Sequence, residues 1–308
     1  MPAPILIGTR GSPLALWQAR HVQDLLLEHH GPGGGAVDLS VITTSGDRIQ
    51  DKPLADVGGK GLFTKEIDEA QLRGDVALAV HSMKDLPTVL PDGLGVAAVL
   101  PRADVRDAFL SPKAPSLVEL PPGAVVGTSS LRRAAQVKRS RPDLRVIDFR
   151  GNVETRLRKL DEGVADATLL AKAGLDRLGL SSKVTSILSV DEMLPAVAQG
   201  AIAIVARKDD AETHALLAPL NDPATAVAVA CERAFLAQLD GSCRTPIAGL
   251  AEIENGTVRF RGLILSPGGA EWHDVEGTGA AEQADELGRS AGEDVLARAG
   301  VNFLATLP

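Results

Sequence analysis

Tyrosine is missing altogether from this 308-residue chain, and with two tryptophans and six phenylalanines its aromatic content is 3%. A platform for stacking nucleobases has few rings to build from, and the core must be packed with Ala, Val, Leu and Ile. Cysteine is as sparse. Cys231 and Cys243 stand twelve positions apart with no Cys-x-x-Cys spacing, which excludes a disulfide framework and a zinc ribbon. Six scattered histidines without a His-Glu-x-x-His pattern predict no metal site. The longest apolar stretch, residues 194–206, is broken by Pro195, Gln199 and Gly200 and is shorter than the ~20 residues that span a bilayer. Residues 1–10 carry neither a basic leader nor a cleavage site, which predicts no signal peptide and a cytoplasmic protein. A positive balance is also lacking: 32 Lys and Arg face 40 Asp and Glu, a net −8. Taken whole, such a chain is not expected to bind nucleic acid, nor is a membrane an expected partner.

What is present is ample material for burial, at 44% hydrophobic residues, and a length that suggests about two domains. Short apolar runs at residues 4–8, 37–43, 76–80, 94–100, 124–126, 144–149, 167–171 and 201–205 read as strands, interleaved with helical patterns as in layered α/β folds. Ser12 followed by Pro13 predicts the start of a helix running to about His30. From about Asn221 the pattern changes to a helix near 223–239, alternating strands near 247–253 and 257–264, and a Gly- and Ala-rich closing helix near 281–299. That order predicts a small α+β domain. A faint repeat joins Ile7-Gly-Thr-Arg-Gly-Ser12 to Val126-Gly-Thr-Ser-Ser-Leu131, and Gly74 to Val80 to Gly163 to Leu169. Duplication of an α/β lobe would explain both pairs, and two lobes imply a cleft whose strand-to-helix turns suit anionic ligands.

The charge is unevenly spread. Residues 132–159 hold ten Arg and Lys against three Asp and Glu, a local +7 that leaves −15 on the rest of the chain. Lys138, Arg139, Arg141, Arg145, Arg158 and Lys159 read as solvated helix faces. Arg132 and Arg133 open a helix after a Gly-Thr-Ser-Ser turn, and Arg150 and Arg156 flank a turn at Gly151 and Asn152. At a cleft edge such guanidinium forks bind carboxylate or phosphate in bidentate fashion. With only Phe149 as an aromatic in the stretch, a discrete polyanionic small molecule fits better than a nucleic acid. His81-Ser-Met-Lys-Asp-Leu-Pro87 lies at a strand's carboxyl end, where ligand contacts are common. Lys84 with Asp85 reads there either as a surface ion pair or as catalytic machinery, and His81 as a satisfied buried or capping residue.

Familiar motifs fail. Gly59-Lys60 is followed by Gly61, so there is no P-loop, and Gly-x-Ser-x-Gly is absent. Cys231 sits in a predicted helix as a small buried hydrophobe. Cys243 lies instead in the polar stretch Leu239-Asp-Gly-Ser-Cys-Arg-Thr-Pro246, where the Arg244 cation would favour the thiolate and make sulfur a usable nucleophile.

Taken together, Gly8-Thr-Arg-Gly-Ser-Pro-Leu-Ala15, Gly59-Lys-Gly-Leu-Phe63, His81-Ser-Met-Lys-Asp-Leu-Pro87, Gly127-Thr-Ser-Ser-Leu-Arg-Arg133, Phe149-Arg-Gly-Asn152, Glu232-Arg-Ala-Phe235 and the Cys243 loop resemble the porphobilinogen deaminase (hydroxymethylbilane synthase) family over essentially the whole chain. The resemblance implies a transferase that joins four porphobilinogens head to tail with loss of ammonia and releases hydroxymethylbilane by hydrolysis. It implies a dipyrromethane cofactor tethered through Cys243, where Ser242 stands in place of the family's usual Gly. The implied fold is two similar periplasmic-binding-protein-like lobes around a cleft, residues 1–100 with 201–219 and residues 101–200, plus a C-terminal α+β domain at 220–308.

Each porphobilinogen brings an acetate and a propionate, so a growing chain needs a row of cations. By the resemblance, Lys84, Ser82, Ser130, Arg132 and Arg133 hold the cofactor with Cys243. Arg10, Ser12, Thr128, Ser129, Arg150, Arg156, Gln199 and Lys60 bind substrate. Asp85 is the catalytic carboxylate, assisting proton transfer at the leaving amine, holding pyrrole N–H groups and stabilising the cationic azafulvene. The loop from Thr44 to Gly61 takes a lid or cleft role. A monomer that binds porphobilinogen is expected. The alternatives are a non-enzymatic two-lobed protein for small anions, which has no use for the cysteine loop, and a nucleic-acid module, which has none for Asp85.

Overall fold

The computed structural model describes residues 4–31, 36–48, 63–239 and 245–304. Its strands are β1 (Ile5–Thr9), β2 (Val37–Val41), β3 (Leu78–Ser82), β4 (Leu94–Val99), β5 (Asp107–Leu110), β6 (Val125–Gly127), β7 (Arg145–Ile147), β8 (Ala167–Ala171), β9 (Ser186–Ile187), β10 (Ile202–Arg207), β11 (Ile247–Glu254), β12 (Thr257–Leu265) and β13 (Trp272–Ala280). The chain divides into two compact units, one containing the described residues up to 48, 63–103 and 200–226, the other 104–199 and the described residues from 227 onward.

In the first unit the sheet order is β2-β1-β3-β10-β4, with β1 parallel to β2 and β3, and β10 antiparallel to β3 and β4. The helix Pro13–His30 starts where the sequence predicts: the Ser12 hydroxyl accepts the Ala15 N–H at 3.3 Å and Pro13 occupies the first turn. It buries Gln18, Ala19, Val22 and Leu26, one stripe at helical spacing. Ala19, Val22 and Leu26 pack on Ile7, Leu78, Val80, Ile202 and Ile204 of the sheet.

In the second unit the order β7-β6-β8-β5-β9 repeats the same scheme, with β6 parallel to β7 and β8, and β5 antiparallel to β8 and β9. The strands linked by the faint sequence repeat, β1 with β6 and β3 with β8, occupy equivalent places in the two sheets. A third sheet in this unit, β11-β12-β13, is an antiparallel meander. It shares a core of Cys231, Phe235, Phe260, Ile264 and Val295 with the helices Pro223–Gln238 and Ala284–Leu304. The glycines of the closing helix have a packing reason. A Cβ on Gly288 would lie 2.0 Å from the Cys231 carbonyl oxygen, and one on Gly292 2.6 Å from Gln238 Cβ, so only glycine permits this helix contact.

The predicted strands recur with their ends moved by at most two residues, and three strands went unpredicted. β5 begins with Asp107, a residue that reads as loop unless its charge is paired. β9 is two residues long. β13, Trp-His-Asp-Val-Glu-Gly-Thr-Gly-Ala, alternates exposed and half-buried positions at a sheet edge without an apolar face to announce it.

Candidate functional site

In the first unit the polar residues gather at the carboxyl ends of two adjacent parallel strands. Arg10 and Ser12 follow β1, and His81 and Ser82 close β3. Gln18 Nε2 donates to Ser82 Oγ at 2.9 Å, and the Met83 N–H donates to Ala201 O at 3.0 Å. A single 3-10 turn, Met83–Asp85, follows. Because the apolar Met83 and Leu86 are buried on either side, Lys84 is left half-buried and Asp85 exposed. The Arg10 guanidinium lies 4.2 Å over the Phe63 ring, a contact that orients it.

His81 differs from the expectation of a satisfied side chain. It is buried on β3, opposite Ala203 of β10, and its Nε2 finds no hydrogen-bond partner among the described residues. Burial, aided by the positive charge of Arg10, pushes its pKa from 6.5 down to about 4. Above pH 6.5 neither folded nor unfolded chain holds this proton. As pH falls towards 4 only the unfolded chain gains it, so the folded state should lose up to roughly 3 kcal/mol. Chemical denaturation at pH 7 and pH 4.5 should show that loss in the wild type and a smaller one in His81→Asn; equal losses would contradict it.

In the second unit two strand-to-helix turns carry the arginines. At the end of β6, Gly127 passes so close to Phe149 that a Cβ would sit 2.5 Å from the ring. Thr128 Oγ1 accepts the Ser130 N–H (3.2 Å), Ser129 Oγ accepts the Phe149 N–H (3.0 Å), and Ser130 Oγ caps the helix Leu131–Ser140 by accepting the Arg133 N–H (3.4 Å). After β7, Asn152 caps the helix Val153–Asp161, its Oδ1 accepting the Thr155 N–H at 2.8 Å, and Gly151 adopts φ +122°. Arg150 and Arg156 are half-buried here, and Arg150 Nη1 is buried with no partner among the described residues.

Arg132 and Arg133, predicted at a cleft edge, are only 4% and 5% exposed. The reason is Asp107, fully buried at the start of β5. Its Oδ2 lies 2.7 Å from Arg132 Nη1 and its Oδ1 2.7 Å from Arg133 Nη2. Burial alone would raise the Asp107 carboxyl, but the charges and hydrogen bonds of Arg132 and Arg133 outweigh it and hold the group far below the usual carboxylate range. Gln199, also buried, donates through Nε2 to Val105 O (2.7 Å) and to Asp107 Oδ1 (3.0 Å). Sequence reading missed Asp107, since nothing local marks an Asp whose partners lie 25 and 26 residues away.

The expected solvated cations are partly otherwise employed. Lys138 Nζ donates to Leu144 O, Lys159 Nζ to Arg150 O at 3.0 Å, and Arg141 to the carbonyls of Leu117, Val118 and Leu120 at 3.1, 2.6 and 2.8 Å. Arg145 lies on β7 rather than a helix. The long aliphatic stems bury while the heads reach carbonyls at chain turns, which composition alone does not reveal. Cys231 behaves as expected: burial pushes its thiol up to about 12, so it is inert at neutral pH. Cys243 and Lys60 lie outside the described residues, as does most of the predicted lid.

A family model described as "Porphobilinogen deaminase, dipyromethane cofactor binding domain" matches residues 5–215, and one for the "Porphobilinogen deaminase, C-terminal domain" matches residues 226–297. The chain belongs to the porphobilinogen deaminase family. The porphobilinogen deaminase of Nitrobacter winogradskyi is 57% identical over 96% of this chain and 94% of its own. That of Paracoccus denitrificans is 53% identical over 97% and 96%, and the chloroplastic enzyme of Pisum sativum 55% over 98% and 83%. Among solved structures, the methionine-binding protein MetQ covers 70% of this chain and 89% of its own at 16% identity, with a TM-score of 0.45. With the family come a transferase activity in tetrapyrrole biosynthesis and a dipyrromethane cofactor. Membership decides against the non-enzymatic anion binder. Among the described residues no helix is long and apolar enough to cross a membrane.

The described residues suit such a cofactor. A dipyrromethane bears acetate and propionate carboxylates, and two buried guanidinium nitrogens, Arg132 Nε and Arg150 Nη1, lack acceptors among the described residues. Buried N–H donors of this kind call for an anion.

Proposed function

We propose that Asp85 is the catalytic carboxylate and that Cys243 anchors the dipyrromethane through its sulfur, with Lys84, Ser82, Ser130, Arg132 and Arg133 holding the cofactor's polar groups. Arg10, Ser12, Thr128, Ser129, Arg150, Arg156, Gln199 and Lys60 bind the carboxylates and pyrrole groups of porphobilinogen and of the growing chain. The observation that supports this reading most is the pair of buried guanidinium donors, Arg132 Nε and Arg150 Nη1, that lack acceptors within the described chain.

The bound dipyrromethane supplies a free pyrrole α-carbon as the primer for chain growth. The protein's own residues do the rest. Arginine forks bind each arriving acetate or propionate and fix the pyrrole ring that carries it. Asp85, an exposed carboxylate on a turn anchored by Met83 and Leu86, accepts pyrrole N–H hydrogen bonds, assists proton transfer at the leaving amine and stabilises positive charge on the substrate as ammonia leaves. We also propose that the protein acts as a cytoplasmic monomer whose domains are residues 1–100 with 201–219, 101–200 and 220–308.

The test is made on purified protein supplied with porphobilinogen. Ammonia release should match porphobilinogen consumed, with one hydroxymethylbilane formed per four substrates. Intact mass should exceed the sequence mass by two linked pyrrole units, with the increment mapping to the peptide holding Cys243. An active enzyme at its bare sequence mass would overturn the tether.

A further inference from the structure

We propose that Asp107 is a positioning residue for the cofactor site: its carboxylate holds Arg132 and Arg133 as one fixed pair that remains short of a single anion. The proposal rests on the reading that these two arginines hold the dipyrromethane.

The geometry carries it. Asp107 divides its oxygens, Oδ2 to Arg132 Nη1 at 2.7 Å, Oδ1 to Arg133 Nη2 at 2.7 Å and Nε at 3.2 Å. Beside that ion pair, Arg132 Nη1 gives its hydrogen bond to Leu194 O at 2.7 Å, and Arg133 Nη1 donates to Leu169 O at 3.0 Å. Arg133 thus has a partner on each of its three nitrogens, whereas Arg132 Nε is buried with none among the described residues. Two guanidinium charges against one carboxylate leave the buried group at +1. A charge in low dielectric demands a counter-charge, and one substrate or cofactor carboxylate at Arg132 Nε would supply both the charge and the missing acceptor. Without Asp107 the two like charges would repel across a buried contact and the fork would lose its fixed aim.

Asp107 is itself held. Gln199, donating to its Oδ1, follows Ala198, which sits at φ +60°, a conformation disfavoured for a residue with a Cβ. The Ala198 N–H donates to Glu232 Oε2 at 2.5 Å, and the other Glu232 oxygen accepts the Ala251 N–H at 2.7 Å. A buried carboxylate therefore braces the strained turn that presents Gln199 to Asp107. Such braces around a site are how side chains are kept in productive geometry.

The experiment compares Asp107→Asn, Asp107→Glu and Arg133→Gln with the wild type, each purified as expressed. It reads the cofactor-bearing fraction by intact mass, KM and kcat for porphobilinogen, and the thermal midpoint. Loss of a residue that supports a metal ligand costs about 10- to 100-fold, and on that scale the loaded fraction of folded Asp107→Asn, or its kcat/KM where loaded, should fall by about the same factor. Asp107→Glu keeps the charge but moves it one methylene, and should fall between Asn and wild type. If Asp107→Asn does not fold, Asp107→Glu decides alone. A merely structural ion cluster would lower the thermal midpoint and leave loading and KM at wild-type values in both, and that result would overturn the proposal. Full loading of Arg133→Gln would instead refute the arginine reading. Lost loading in Arg133→Gln beside wild-type behaviour of Asp107→Glu would refute the Asp107 role alone.

Discussion

Replacing Asp85 by alanine should leave a folded, cofactor-bearing protein that has lost nearly all turnover, by about 10²- to 10⁴-fold in kcat, the usual worth of a positioned proton-transfer group. The side chain is exposed and its neighbours Met83 and Leu86, not Asp85, anchor the turn, so stability should change by about 0.5 kcal/mol or less. With substrate affinity assigned by the proposal mainly to the arginines, KM should move little while kcat collapses, the pattern of a group that acts on the transition state. Steady-state kinetics with circular dichroism and intact mass on the same preparation separates these effects. Near-normal product formation by the variant would remove Asp85 from its role.

Cys243→Ala should purify at its bare sequence mass and be inactive, because no other cysteine can take over the thioether. Cys231, the other of the two, is buried with its thiol raised to about 12, and a thiol so held presents almost no thiolate at neutral pH. Cys231→Ala should therefore keep the mass increment and the activity. It should melt earlier, since a buried atom packed against Phe235 and Phe260 is lost and the space is only partly refilled. An adduct that survives Cys243→Ala, or vanishes with Cys231→Ala, would refute the assignment.

Much of the fold could be read along the chain. Ser12-Pro13 announced the first helix, the apolar runs announced most strands of the two mixed sheets, and the repeat linking residues 7–12 with 126–131 paired β1 with β6 correctly. These signals are local, set by capping, spacing and burial period. The strands that escaped, β5, β9 and β13, lack a local signal: Asp107 opens the first, the second is two residues long, and the third is an edge strand with polar residues on both faces. His81 escaped in another way, since whether a buried imidazole meets a partner depends on neighbours that the sequence does not order.

By itself the sequence determined which chemistry is available: a row of arginines, one cysteine beside a cation, an Asp after a strand, few aromatic residues and no metal-binding motif. It could not say that Arg132 and Arg133 lie buried on a shared Asp107, or that Arg132 Nε is left with no acceptor among the described residues. A helix cap needs partners three residues apart, whereas this cluster joins positions 107, 132, 133 and 199, drawn together only when β5 enters its sheet. Only the tertiary structure decides where such distant charges meet, because burial turns a pairing worth little in water into one that must be satisfied.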